Sequence, residues 1–198
     1  MRIDPTRDAL IVVDVQNDFC PGGALAVGAG DAIVPVMNRY LERFEAAGAP
    51  VFLSRDWHPP VTRHFQAQGG VWPPHCVQGT RGAEFHPALR PPADAVVVSK
   101  GMDPDQDAYS AFQAADQAGR PLPAVLAQRG IRRLYVGGLA TDYCVRATAL
   151  DAARAGFEVV ILKDAIGAVD VQPGDGARAL DEMLWAGARE VTLTEVSL

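Results

Sequence analysis

The chain is expected to fold as an α/β protein, a doubly wound three-layer αβα sandwich around a mainly parallel six-stranded sheet. Three observations predict this. Short apolar runs recur between longer amphipathic stretches, the runs are continuous rather than alternating, and glycine or a capping residue marks most of the joints. Continuous apolar strands belong to parallel sheets covered on both faces, and right-handed crossovers between them give the doubly wound arrangement.

The elements follow in order. Asp8 to Asp14 reads as a buried strand, with Leu10, Ile11, Val12 and Val13 in one apolar run. Gly30-Asp31 opens a helix whose apolar face carries Ile33, Met37, Leu41 and Phe44 at helical spacing, and Gly48 stops it. Pro50 to Ser54 and Ala95 to Ser99 supply the second and third strands, and Pro123 to Gln128 a short helix before the strand Leu134 to Val136. Thr141 or Asp142 caps a helix running on Val145, Ala149 and Ala152 to Gly156. Glu158 to Leu162 is the fifth strand. A last helix from Gly174-Asp175 carries Ala179, Met183 and Leu184, and Val191 to Leu193 ends the series. The stretch 59–92 breaks the rhythm, being rich in Pro, Gly, His and aromatics without a clear period. An irregular loop of that length in a compact domain is expected to be functional.

Residues 1–198 are expected to form one domain, long enough for a substantial core. Hydrophobic residues make up 48% and charged residues 21%, an ordinary globular composition. The 24 acids outweigh the 18 bases and no basic run occurs, so nucleic acid and anionic membrane are excluded as partners. The longest apolar stretches, such as Ala93 to Val98, are too short to span a bilayer, and the N-terminus lacks signal-peptide character. Three cysteines with no C-x-x-C pair argue against a disulfide scaffold and for the cytoplasm. Oligomeric state stays open between monomer and homodimer.

All four histidines fall between positions 58 and 86, and Asp56-Trp57-His58 introduces them. In an extended segment residues two apart face the same side, so Asp56 and His58 can present oxygen and nitrogen to one ion. His64 and His75 follow after Pro-Pro and Gly-Gly turns. A carboxylate with two or three imidazoles suits zinc, iron or manganese rather than calcium or magnesium.

Ligand sites in open parallel sheets lie beyond the carboxyl ends of the strands. The first strand ends at Asp14, the second at Asp56 and His58, the third delivers Lys100, and the fourth delivers Gly137 to Cys144. A carboxylate, a metal cluster, an amine and a thiol thus meet at one sheet edge. Cys144 falls in the first turn of its expected helix, where the dipole favours thiolate. Lys100 would favour thiolate further, and Asp14 can accept the thiol proton. Backbone N–H groups around Ala140 to Cys144 are candidates to bind an oxyanion. Each residue alone has a plainer role: a small buried hydrophobe, a turn cap, a solvated amine. Their joint occurrence at one edge favours a site.

These residues resemble those of the isochorismatase-like cysteine hydrolases, and within them the nicotinamidase/pyrazinamidase group. The resemblance covers essentially the whole chain. It rests on Asp14-Val15-Gln16-Asn17-Asp18-Phe19, Asp56-Trp57-His58 with His64, Trp72 to Thr80, Lys100-Gly101, and Ala140-Thr141-Asp142-Tyr143-Cys144-Val145. Phe85-His86-Pro87 and Asp107 to Phe112 are also similar to that group. The resemblance implies that Cys144 attacks the carboxamide carbon of nicotinamide, or of pyrazinamide. Asp14 then accepts and donates the proton, Lys100 completes the triad, and a thioester forms before water releases the acid. It implies an oxyanion hole at the Ala140 and Cys144 amides and a cis peptide between Leu139 and Ala140. It makes Asp56, His58, His64 and His75 the ligands of one divalent ion, zinc first and iron(II) or manganese(II) as alternatives, which holds the pyridine nitrogen. Phe19 and Trp72 would sandwich the ring, with Tyr109 and Leu139 completing the substrate-binding set. His86 falls outside the ligand pattern. The His64–Trp72 connection has only seven residues, where some members carry a longer insertion. Two rival readings are a hydrolase in which the metal activates water directly, and a superfamily amidase acting on a carbamoyl or ureido substrate.

Overall fold

The computed structural model describes residues 1–198. Seven strands form one sheet: β1 (Asp8–Val13), β2 (Val51–Asp56), β3 (Val96–Lys100), β4 (Ala115–Asp116), β5 (Arg133–Leu139), β6 (Glu158–Gly167) and β7 (Arg189–Val191). Their order is β4-β3-β2-β1-β5-β6-β7, and every pairing is parallel except β3 with β4. The expected six strands become seven because β4 adds a two-residue antiparallel edge, too short for any apolar run to announce it. The last strand is Arg189–Val191 rather than Val191 to Leu193, since Leu193–Glu195 turns into a 3₁₀ segment closed by a Thr192–Glu195 capping box.

The four α-helices are α1 (Val34–Ala47), α2 (Leu122–Gln128), α3 (Arg146–Arg154) and α4 (Asp175–Trp185). Pro35 in the first turn of α1 needs no partner for its missing N–H. Met37, Tyr40, Leu41 and Phe44 form its buried stripe, and Gly48 ends it in the left-handed conformation at φ 69°. That stripe packs on Leu10 and Val12 of β1, Leu53 of β2, Tyr135 of β5 and Val160 of β6. The alternate residues of the same strands, Ala9, Ile11, Val13, Phe52, Leu134, Val136 and Ile161, pack against α2, α3 and α4 on the other face. β1 is therefore buried at every position, which is why its sequence is a continuous apolar run.

The chain builds outward from β1 through β2 and β3, then returns to place β5 on the other side of β1. Strand order reverses at the β1–β5 boundary, where the carboxyl ends of parallel strands leave a crevice. Asp14 follows β1 and Ala140 follows β5 at that boundary, and Asp56 lies beside Lys100 in the β2–β3 register. The stretch 59–92 has no strand or α-helix. It holds two 3₁₀ turns and isolated bridges, including His58 to Val77 and Phe65 to Trp72.

β5 can lie close to β1 at its last residues only because Gly138 has no side chain. Its φ is +126°, and a Cβ there would sit 2.1 Å from the Val13 carbonyl oxygen. Gly138→Ala is expected to destabilise the protein by at least about 1–3 kcal/mol from backbone conformation alone, with the clash adding to it. Urea unfolding of the two proteins measures the difference, and equal midpoints would refute the close-approach argument.

Candidate active site

Asp14, Lys100 and Cys144 come from the ends of β1, β3 and β5 and meet in the interior, 0%, 1% and 6% exposed. Asp14 turns the chain at φ +49°, a region that aspartate enters more readily than most residues. Its Oδ1 accepts a hydrogen bond from Ser54 Oγ at 2.7 Å, and its Oδ2 lies 2.9 Å from Lys100 Nζ. The same ammonium donates to Asp56 Oδ1 and to the Ala108 carbonyl at 3.2 Å, and stands 3.6 Å from Cys144 Sγ. Two carboxylates thus flank one buried ammonium.

Burial works against the charged form of Lys100, but Asp14 and Asp56 outweigh it and hold the amine well above its ordinary range. Burial would raise Asp56, yet Lys100 and His58 together hold it low. For Asp14 burial wins over Lys100, and the charge of Asp56 adds to it, so its carboxyl is raised. The two acids, adjacent to one amine, are driven in opposite directions.

Cys144 departs from expectation. It lies in a π turn, Thr141–Val145, that precedes α3, and not in the first turn of the helix itself. Burial pushes its thiol well above the ordinary value; Lys100 pulls the other way, and Asp14 and Asp56 add to the rise. The resting group is a thiol, and attack requires a base in contact with it. A carboxylate oxygen of Asp14 lies within 4.8 Å of the Cys144 sulfur, which makes Asp14 the candidate for that base. The Leu139–Ala140 peptide is cis.

His58, His64 and His75 are all buried, and their ligand-capable nitrogens lie within 4.8 Å of one another. Each ring is held by its Nδ1: His58 on the Gly101 carbonyl at 3.0 Å, His75 on the Pro73 carbonyl at 2.8 Å, His64 on Asp107 Oδ1 at 2.5 Å. Protonation at Nδ1 leaves each Nε2 lone pair free. Asp56 Oδ2 lies 3.7 Å from His58 Nε2 and 3.9 Å from His75 Nε2. His58 Nε2 is buried without a hydrogen-bond partner, a costly state that a cation at this point would relieve. Burial, against the pull of Asp56, also pushes His75 down to about 4, keeping it neutral as a ligand must be. The donor set fits a divalent metal of the zinc, iron or manganese type. Gly101 belongs to this arrangement: a Cβ there would meet the His58 ring at 2.4 Å.

The two groups open into one mostly apolar pocket. Phe19, Trp72, Tyr109, Ala140, Cys144, Asp56, His64 and His75 line it; Asp14, Lys100 and His58 lie behind that lining. Leu139 does not reach the pocket. It is fully buried in the core beneath it, within reach of Gly30 and Gly167, because the chain turns its side chain inward where β5 ends. His86 stays outside the metal group and accepts a hydrogen bond from the Ala88 amide.

Several contributors escaped the sequence reading. Tyr143 packs edge-on against Trp72 at 5.3 Å, and Leu25, Val27 and Val169 complete the apolar wall. Gln16 grips the Asp56 backbone from both sides, donating to its carbonyl and accepting from its amide at 2.8 Å each. Asp18 anchors the Cys76 and Ala24 amides. Gln16 and Asp18 fall two and four residues after Asp14 in a segment already singled out, which is the one local signal they had.

Comparison with known proteins places the whole chain in one family. The isochorismatase domain model matches residues 8–195. The nicotinamidase of Escherichia coli K12 is 43% identical, over 94% of this chain and 95% of its own. The crystal structure of the Pyrococcus horikoshii pyrazinamidase in complex with zinc is 48% identical, with a TM-score of 0.87 over 94% of this chain and 99% of that one. PnC1 from L. infantum in complex with nicotinate is 36% identical, with a TM-score of 0.89 over 99% and 98%. From its first strand to its last turn, this chain is a member of the isochorismatase domain family.

Proposed function

We propose that this protein hydrolyses nicotinamide to nicotinic acid and ammonia, and pyrazinamide likewise, through a thioester on Cys144. The observation that carries the reading is the contact set Asp14–Lys100–Cys144, which reaches through Cys144 a pocket lined also by His64, His75 and Asp56. The similarity to nicotinamidases and pyrazinamidases over almost the full chain supports the same reading. Residues 1–198 are read as one hydrolase domain. No helix is long and apolar enough to cross a membrane, and three unpaired thiols suit a reducing cytoplasm.

The residues divide the work as follows. Asp14 takes the thiol proton as Cys144 Sγ attacks the carboxamide carbon, with the N–H groups of Ala140 and Cys144 receiving the oxyanion. The tetrahedral adduct collapses as Asp14 returns that proton to the amide nitrogen, and ammonia leaves. Asp14 then deprotonates a water that attacks the thioester, and the proton restores the thiol. Lys100 stays an ammonium throughout, holding Asp14 in place and offsetting the charge that develops beside it. Phe19 and Trp72 hold the ring between apolar faces, with Tyr109 fixed by the hydrogen bond its hydroxyl accepts from Trp72 Nε1 at 2.9 Å. Asp56, His58, His64 and His75 would hold one divalent ion, zinc by preference with iron(II) or manganese(II) as alternatives. When bound, that ion supplies a Lewis-acid contact for the ring nitrogen and so orients the substrate. Direct activation of water by the metal is disfavoured, because it leaves the buried contacts of Lys100 and Asp14 to Cys144 without a purpose.

Three measurements test this. Cys144→Ala is expected to abolish ammonia release from nicotinamide while metal content, by mass spectrometry, stays at the wild-type level; residual turnover at more than a few per cent would favour metal-activated water. Asp14→Asn keeps the shape but removes the base, and is expected to lower kcat by about 10²–10⁴-fold. His58→Ala removes one of four protein donors, and is expected to lower metal occupancy and raise KM more than it lowers kcat. Unchanged metal content in that variant would refute the ligand assignment.

A further inference from the structure

We propose that Asp107 is a positioning residue for the metal site: it fixes His64 by accepting its Nδ1–H and so sets the affinity for the ion. The inference rests on the reading of His64 as a ligand. Among the three buried imidazoles the outer partners differ in kind. His58 and His75 donate to neutral backbone carbonyls, whereas His64 faces a carboxylate at 2.5 Å. A charge-assisted bond of this type is the strongest way to lock a ring's tautomer, and it raises the basicity of the opposite nitrogen.

The setting of Asp107 isolates that role. Its side chain is 64% exposed, and its one side-chain hydrogen bond is to His64. With one partner this exposed, solvent screening limits what the pair contributes to folding. The loop that carries it does contribute to the site. Between β3 and Tyr109 the loop offers Gly101 O to His58, Pro104 O to Thr62 Oγ and the Arg63 amide, and Ala108 O to Lys100 Nζ. Asp107 is the only member of this set that acts through a side-chain charge, so its removal leaves the backbone contacts in place.

The test compares wild type, Asp107→Ala, Asp107→Asn and His64→Ala as purified proteins stripped of metal. Zinc dissociation constants come from competition with a chromophoric chelator, and the melting temperature of each metal-free protein is recorded alongside. Asp107→Ala is expected to bind zinc about 10–100-fold more weakly with an unchanged metal-free melting temperature. Asp107→Asn is expected to recover part of the loss, because its amide oxygen still accepts the Nδ1–H. Wild-type affinity in Asp107→Ala beside a clear loss in His64→Ala would overturn the role of Asp107 alone. Wild-type affinity in both would overturn the ligand assignment of His64 and this proposal with it. A loss in Asp107→Ala that tracks a fall in metal-free melting temperature would reduce Asp107 to a structural element and also overturn it.

Discussion

The interior ammonium of Lys100 is the constraint around which the site is organised. A buried ion costs several kcal/mol in lost hydration unless well-placed opposite charges offset it. Asp14 and Asp56 provide that offset from neighbouring strands, and each is itself restrained: Asp14 by Ser54, Asp56 through the grip of Gln16 on its backbone. The ends of β1, β2 and β3 are thereby locked to one another at the point where the sheet order reverses. The same arrangement allocates the proton chemistry. Lys100 is held above its ordinary range and Asp56 below its own, while burial raises Asp14, so in the proposed mechanism Asp14 is the group placed to take and return the proton. Environments that drive neighbouring acids apart are how acid–base roles are assigned in a site.

Asp56 joins the two halves of the pocket. One of its oxygens faces Lys100 and the other faces His58 and His75. The Asp14–Lys100–Cys144 group and the histidine group are therefore not independent modules that happen to adjoin. They share a carboxylate, and a change on either side reaches the other through a single rigid side chain held on both flanks.

Much of this was legible in the amino-acid order, for definable reasons. Burial on both faces forces β1 to be a continuous apolar run, so Leu10 to Val13 announced the central strand. A parallel sheet directs all its carboxyl ends to one edge, so the residues after each apolar run could be pooled into one site. The resemblance to a known family then assigned roles that spacing alone leaves open, such as the fourth ligand. What escaped has equally physical causes. β4 is two residues long and owes its existence to its partner strand. The π turn at Cys144 depends on how β5 meets α3, and the burial that pushes its thiol up is not visible in the local dipole argument that favoured thiolate. Leu139 adjoins the pocket in sequence but points into the core. Gln16, Ser54 and Asp107 act across about forty residues of chain, a distance over which local pattern carries no information.

The reversal of strand order has a consequence for how the protein comes into being. The three side chains of the proposed triad lie at positions 14, 100 and 144, and β5 must insert beside β1 before they can meet. Contacts so far apart in sequence close late, because the entropy of the intervening loop opposes them. During synthesis the first half of the chain can pair β1 with β2 and β3, yet it then holds Lys100 and its two carboxylates with no thiol to act on. Chemistry begins only when the second half docks. The appearance of activity thus reports the joining of the two halves, which the gain of helix or of compactness does not.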